Sequence, residues 1–514
     1  MDIKSKNTLH KLNLSTPTEG ALNNDVVLDE KLLENWVKQL PKHDLLEFSR
    51  LYLKSLTRFN SNKIEDKQRF KLLDVYRKPL NSLLLTLSRD ELLNAPPSSR
   101  QQLIVNLTQL MSELAMGYKG IVVRSYQKNV NLKLNPFVLL AVNRACEQLS
   151  FIALHAYKYY QSVPARVFYE LHQLYLLTEY YGCTDLIPEL DSQHYASASF
   201  KNSYTQLLLI SICNPYGLKS DEVINAYNLM EQLASDAEIQ PLPDEKIHTG
   251  GCFFINCLSD RIPQPTTFPT IEGSSQSDAT RIFNTKPILQ LIDDLFQQST
   301  IHNSAIDIAL LKQLVPYLNT SYERKQKRMD QTESKDLQLA IGLTSIHSTI
   351  KNSKTILDKT ATLSWKILNE NSLGYLVSTS NKVIHSLSLN IGDLIGCFNL
   401  QKDNKLIINL ASIRWLRTDD HGITKVGLKL ISGTPVAIEY EIEKEEQFHR
   451  AILLTEINRS TQPATIIAEK NNLESKSSFA IKAKKKYLQL PFVTEKCIEQ
   501  GTDFDRFTFT DKIV

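Results

Sequence analysis

The sequence predicts a multidomain α + β protein: an N-terminal all-α domain of helical hairpins, then a small antiparallel β-barrel with additional C-terminal strands. Three observations predict it. The chain has 514 residues, more than a single hydrophobic core usually serves. Apolar residues recur at three-and-four spacing from about Leu28 to Leu233, and after Asn319 that period gives way to alternation. Gly-Asp and Asp-His-Gly turn signals punctuate the alternating runs, as in small barrels of short strands.

The elements follow in order. Residues 1–25 are polar and uncapped and read as a flexible arm. The helical domain spans 26–320, with helices over Lys31–Leu40, Gln68–Leu87 (kinked or broken at Pro79), Gln101–Met116, Pro136–Tyr160 and Asp221–Leu233. In PARVFYELHQLYLLTEYYG, Pro164 suits a first turn, and Val167, Phe168, Leu171, Leu174, Tyr175 and Thr178 share one face before Gly182 caps the end. Short connections make neighbouring helices antiparallel, in the manner of tetratricopeptide hairpins without a clear repeat. Residues 238–278 break into Pro, Gly and Thr around GGCFFINCL, which reads as a short β-like insertion, and helices resume over Lys286–Gln298 and Ala305–Leu318.

Beyond the helices, Leu337, Leu339 and Ile341 alternate with polar or small residues, as do Leu406, Ile408 and Leu410, and Val436, Ile438, Tyr440 and Ile442. These runs predict a barrel over 321–445. The tail, 446–514, continues through ATIIAE, FAIKAKKKYLQLP and FDRFTF and reads as a β-rich extension that lengthens or flanks the barrel.

Composition narrows the function classes. Hydrophobic residues are 42% and charged residues 22%, which excludes global disorder and a collagen-like chain. With 59 Lys+Arg against 56 Asp+Glu the formal charge is +3, so no DNA partner is expected and any anion site is local. The sequence opens with no apolar run of the ~7–15 residues a signal peptide needs and nowhere approaches the ~20 of a membrane helix, which predicts a cytoplasmic protein without membrane insertion. Seven scattered cysteines read as reduced, mostly buried thiols. Cys252 and Cys257 follow His248, but no fourth ligand stands nearby for a tetrahedral metal, so no metal or cofactor is expected.

Two short patterns carry the chemistry. Arg324-Lys-Gln-Lys-Arg328 lies in the polar link before the first barrel strand, and two guanidinium forks so spaced can close on a phosphate or on a guanine edge. Asn369-Glu-Asn371-Ser372-Leu373-Gly374 follows the run Thr362–Leu368, where side-chain amides could read a base edge and a glycine lets backbone approach a ligand. Together these patterns resemble the PilZ domain family, receptors for the bacterial messenger cyclic di-GMP. Arg324 and Arg328 match its RxxxR motif, and Asn369 and Gly374 match its (D/N)xSxxG motif, with Asn371 in the serine position. The longer interval between the motifs places Thr344–Lys354 in an extended first hairpin. What the resemblance implies is a ligand site of Arg324, Arg328, Asn369, Asn371 and Gly374, and signal transduction through a protein partner of the helical domain.

Blander readings accompany these. Arg324 and Arg328 also fit a solvated basic linker, Asn369 and Gly374 a plain hairpin turn, Trp415 a core residue, and Lys482, Lys484, Lys485 and Lys486 an exposed strand face. Two functions fit: a receptor that couples cyclic di-GMP binding at the barrel to partner contact, or a scaffold whose degenerate barrel does not bind it. Signatures of catalysis such as a P-loop, G-x-S-x-G or H-E-x-x-H are absent from the sequence, so a non-enzyme is expected.

Overall fold

The computed structural model of the chain describes residues 11–21, 26–87, 92, 96–242, 250–266, 277–297, 307–319, 329–352, 363–380, 389–400, 406–443, 447–455, 463–482 and 491–511. It divides into two units, Met1–Pro215 with Ser220–Glu323, and Arg324–Val514 with Tyr216–Lys219.

The first unit is helical. Helices α1 (Glu30–Gln39), α2 (Leu45–Asn60) and α3 (Asp66–Thr86) each begin at an acidic cap, Asp29, Asp44 and Glu65, whose carboxylate accepts a first-turn N–H. Pro79 lies inside α3, which continues through it. Next come α4 (Pro97–Gln127), α5 (Pro136–Lys158), α6 (Val167–Tyr180), α7 (Phe200–Ile212) and α8 (Ser220–Leu233). A Cβ on Gly117 would lie 2.8 Å from Leu73 and 2.9 Å from the Asn60 amide, so a bare backbone lets α4 press against α2 and α3. Among the described helices α5 alone is long and apolar enough to cross a membrane, but it is mostly buried inside the unit.

Sequence expectations shift in three places here. Pro164 precedes α6 instead of opening it: Arg166 is left-handed (φ 74°), and Asp260, from the insertion, accepts from the Arg166 and Tyr169 amides. The β-like insertion is a four-stranded sheet that runs past residue 278, in which β6 (Thr280–Asn284) pairs with both β3 (Glu238–Pro241) and β4 (Cys252–Asn256), and β5 (Gln264–Pro265) adds to β4. Finally, residues 11–21 of the expected arm are packed: Leu14 is buried and Gly20 hydrogen-bonds to Ser61. A short hairpin of β1 (Glu189–Asp191) and β2 (His194–Tyr195), then α9 (Lys286–Gln297) and α10 (Ile308–Leu318), complete the unit.

Its core carries paired charge. Asp74 accepts from Arg77 at 2.9 Å and from the Tyr118 hydroxyl at 2.7 Å, with Arg144 beside it. Burial pushes the Asp74 carboxyl up, but the two guanidiniums and the hydroxyl hold it below the usual range. Cys252 and Cys257 are buried, and burial pushes the Cys257 thiol to about 12. His248 lies outside the described residues, among which no group of three or more His, Cys, Asp or Glu could hold a metal ion.

The second unit contains two closed antiparallel barrels. Strands β7 (Met329–Ile341), β8 (Leu363–Asn371), β9 (Gly374–Ser380), β10 (Leu394–Leu400), β11 (Leu406–Thr418) and β12 (Ile423–Ile431) form the first, in the order β10-β11-β12-β9-β8-β7. The second comprises β13 (Thr434–Ile442), β14 (Phe448–Thr455), β15 (Thr465–Glu469), β16 (Ser478–Ile481), β17 (Pro491–Gln500) and β18 (Phe504–Asp511). The C-terminal strands therefore close on themselves instead of lengthening the first barrel. A boundary at 445 would cut the second barrel, because β13 pairs with β14 and β16. Alternation reveals a strand but not its partner.

Thr344–Lys354 also departs from expectation. It does not extend a hairpin: Leu343–Asn352 is a helix, α11, whose Leu343, Ile346 and Ile350 recur at helical spacing. Leu343 and Ile346 share one apolar cluster with Leu394 and Phe398 of the first barrel and Ile452, Leu454, Ile467 and Phe504 of the second. His347 Nε2 donates to the Ile438 carbonyl at 2.9 Å, and Lys351 pairs with Glu439. A single amphipathic helix thus joins the two barrels.

Buried histidines make the helical unit acid-sensitive. His172 donates from Nε2 to the Arg261 carbonyl and accepts at Nδ1 from Tyr204, and burial lowers it from 6.5 to about 4. Burial and nearby Lys158 lower His155 to about 3. Because the unfolded chain takes up these protons near 6.5 and the folded one does not, stability falls as pH drops through the window from 6.5 towards the folded values. Thermal melts should show the helical transition moving down between about pH 6.5 and 5, above most carboxylate titration. His172→Gln should make that dependence shallower, and a melting temperature constant across the window would contradict it.

Candidate nucleotide-binding face

The second motif forms the tip of a tight hairpin. Asn371 pairs with Gly374, and Ser372 and Leu373 make the turn. The Asn371 side-chain oxygen accepts from the Leu373 amide at 3.0 Å, the local bond that suits Asn to turns. On the other side, Leu430 N–H donates to the Leu373 carbonyl at 2.9 Å. A Cβ on Gly374 would stand 2.1 Å from the Leu428 carbonyl oxygen, so only glycine lets β9 approach β12 so closely. Gly374 thus closes a two-residue hairpin turn, whereas Asn369 lies within β8, paired with Leu376.

Arg324 and Arg328 lie outside the described residues. Their continuation is informative. Met329, which follows Arg328, pairs with Glu370, and Asp330 pairs with Asn369. The first strand of the barrel begins beside the hairpin, so the chain that carries the first motif leads directly to the second.

Strand register lays out the surface around them. Three transverse rows cross β8, β9, β12 and β11: Asn371, Gly374, Lys429 and Ser412; Asn369, Leu376, Gly427 and Trp415; Lys366, Ser378, Lys425 and Arg417. Between the second and third runs Ile367, Val377, Val426 and Leu416, all buried. Because side chains alternate across a sheet, that row fills the barrel and its neighbours face outward. Tyr375, next to Gly374, is another inward residue: Asn409 donates to its hydroxyl at 3.3 Å, and burial raises its pKa.

Trp415 departs from the core reading. It is half-buried, and its indole lies across the backbone of β12, where a Cβ on Gly427 would come within 2.0 Å of the indole nitrogen. Trp365, only 1% exposed, is the core tryptophan instead. The three rows hold Lys366, Lys425, Lys429 and Arg417 and no carboxylate, although Asp419 stands 4.0 Å from Lys425 and Arg417 lies over the Tyr216 ring at 5.4 Å. Amides for a base edge, a flat indole and four cations are what an anionic, aromatic ligand requires. Sequence reasoning missed the cations and Trp415. Their signal was the spacing of Lys425, Gly427 and Lys429, which puts all three on one face of a strand.

The close approach at the hairpin is testable. Gly374→Ala should lower barrel stability by about 1–3 kcal/mol, because overpacking against backbone has no flexible side chain to yield. Leu373→Ala, at the exposed tip, should stay within about 0.5 kcal/mol. Urea unfolding of the two variants measures both, and equal midpoints would deny the contact.

Comparison with known proteins addresses both ends of the chain. Residues 31–244 match the family model of the cyclic-di-GMP receptor FimW N-terminal domain, and residues 437–512 match that of the FimW C-terminal beta-barrel domain. The chain is 22% identical over 539 residues to the cyclic-di-GMP receptor FimW of Pseudomonas aeruginosa, covering 89% of this chain and 86% of that protein. The second match falls within the second barrel, β13 to β18. Residues 31–244 of the helical unit and the second barrel thus match the two domain families described for FimW, on a chain similar to that receptor along most of its length.

Proposed function

We propose that the chain is a cytoplasmic cyclic di-GMP receptor, that its first barrel is PilZ-like, and that it binds the nucleotide on the outer face beside the β8–β9 hairpin. The pairing of Met329 with Glu370 and of Asp330 with Asn369 carries this reading, because it leads the link with Arg324 and Arg328 to the turn of Asn369, Asn371 and Gly374. In this reading the two guanidiniums clamp phosphate or guanine edges. Asn369 contributes amide contacts, Gly374 keeps the floor bare, and Trp415 offers a stacking surface among Lys425, Lys429 and Arg417. Likeness to a named cyclic-di-GMP receptor supports the ligand. The helical unit would then carry the output to a protein partner.

One observation favours the second reading, a scaffold whose barrel does not bind the nucleotide. The side-chain oxygen of Asn371, in the position of the family's serine, is already engaged by its own turn. Calorimetric titration of the full chain with cyclic di-GMP separates the two.

If the receptor reading holds, Arg324→Ala or Arg328→Ala should weaken binding by about 1.5–3 kcal/mol, the range for hydrogen bonds to charged groups, and lysine should rescue neither, because it lacks the planar fork. Trp415→Leu should also weaken binding by about 1–3 kcal/mol. Unchanged affinity in both alanine variants, with intact thermal unfolding, removes the link from the site. Hydrogen exchange tests the output: nucleotide should protect amides of residues 319–331 and alter exchange in 286–318. Protection confined to 324–374 would leave a barrel that signals by its own surface.

A further inference from the structure

The outer surface of β11 and β12 runs from the candidate face straight into the contact between the barrels. Beyond the row of Lys429 and Ser412, register sets Leu410 opposite Ile431, and both are buried in the apolar cluster that the two barrels and α11 share. Ser412 stands on the outward row yet is only 2% exposed. Glu499 of β17 reaches it: one carboxylate oxygen, Oε1, accepts from the Ser412 hydroxyl and from Arg414, each at 3.3 Å, and Oε2 lies 3.6 Å from Arg506. The turn after Glu499 docks alongside, where the Thr502 hydroxyl donates to the Ile391 carbonyl at 2.9 Å and the Leu394 amide donates to Asp503 at 3.2 Å.

A break in register puts Arg414 there. Ile413 pairs with Leu428 and Trp415 with Gly427, so Arg414 has no opposite residue on β12. It is the extra residue of a bulge, a device that re-aims a side chain. In the strand it stands between Ser412 and Trp415, which end two of the three rows on the face. Its side chain is half-exposed and donates to Glu499 through one long bond. An exposed pair of that kind contributes little, whereas a phosphate can take both arms of the guanidinium fork. Glu499 keeps Ser412 and Arg506 when Arg414 leaves it, so the exchange strands no carboxylate.

We propose that Arg414 is a further nucleotide-binding residue, and that the second barrel, through Glu499, sets how readily it is released to the ligand. The proposal rests on the nucleotide reading above. With the face empty, Arg414 pairs with Glu499. A cyclic di-GMP phosphate at the Ser412–Trp415 end of the rows draws the guanidinium away, and Glu499 falls back on Ser412 and Arg506. By linkage, a bridge that the nucleotide must break also weakens the nucleotide's binding. The carboxylate of the second barrel therefore tunes affinity at the first, and occupancy of the face is felt at the contact between the barrels.

The test is calorimetric titration with cyclic di-GMP of the full natural chain, of Glu499→Gln, of Arg414→Ala and of the double variant, with thermal unfolding as the check on folding. Glu499→Gln should bind about two- to fivefold tighter, the span that loss of an exposed ion pair allows, and Arg414→Ala about tenfold more weakly. In the Arg414→Ala background Glu499→Gln should change nothing, because the carboxylate then has no guanidinium to withhold. A folded Glu499→Gln chain that binds like the natural chain, or more weakly, overturns the proposal. So does tightening that persists without Arg414, which is charge repulsion alone. If Glu499→Gln does not fold, Arg414→Ala decides: unchanged affinity removes Arg414 from the site, and tenfold loss keeps it there. A natural chain that takes up no nucleotide overturns the receptor reading and this proposal with it, whereas the other failures leave that reading standing.

Discussion

Barrel closure is the constraint from which the site follows. For the first barrel to close, β7 must find partners along both edges, and it does so at different ends: β8 takes it from Met329, β10 only from Gln338 to Ile341. The opening residues of β7 are thereby committed to the tip of the β8–β9 hairpin. An irregular register between Asp330 and Lys335 lets the strand keep that partner while its later residues return to an inward-outward alternation. Nothing in the link itself has to specify where it ends.

Glycine then shapes what the hairpin faces. At Gly374 and Gly427 there is no room for a side chain, in one case because β12 passes too close and in the other because the Trp415 indole covers the backbone. Register then sets Asn369 and Asn371 of β8 on one side of these glycines and Trp415 of β11 on the other. Strands lie ~4.8 Å apart, so crossing from β8 to β11 spans roughly 14 Å. The second barrel differs. Its aromatic residues turn inward, with Phe479 packed among Tyr440, Phe492 and Phe509.

What the sequence disclosed depended on whether a feature is local. Period and capping are local, so the change from helices to strands near 319 was legible, as were helices such as Pro136–Lys158 with Pro136 at its start. Strand partnership is not local. Tyr440 and Ile442 alternate as convincingly for one barrel as for the other, and only pairing with Ile481 and Phe479 assigns them. The helix of Leu343, Ile346 and Ile350 was hidden because its face contacts two barrels instead of one. In the site, the turn residues Asn371 and Gly374 were legible from turn chemistry, whereas Trp415 and Trp365 look alike until register puts one outside the barrel and the other within it.

Burial distinguishes cations that must be paired from those that water can satisfy. Several buried or half-buried cations of the helical unit have a carboxylate supplied by the chain: Arg77 by Asp74, Lys119 by Glu170, Arg281 by Glu179, Arg69 by Glu19. Burial enforces this, since an unpaired charge away from water costs several kcal/mol. Of these, the Glu19 partner alone comes from an extended segment outside the helices. On the barrel face Lys366, Lys429 and Arg417 are exposed and Lys425 half-exposed, so water can satisfy them and no carboxylate is compelled. A chain whose net charge is only +3 can therefore offer anions two kinds of seat. One is buried and is filled by the chain's own carboxylates. The other lies at the barrel surface, where water, the Tyr216 ring under Arg417 and Asp419 beside Lys425 share the charge, so the fold holds without a further anion.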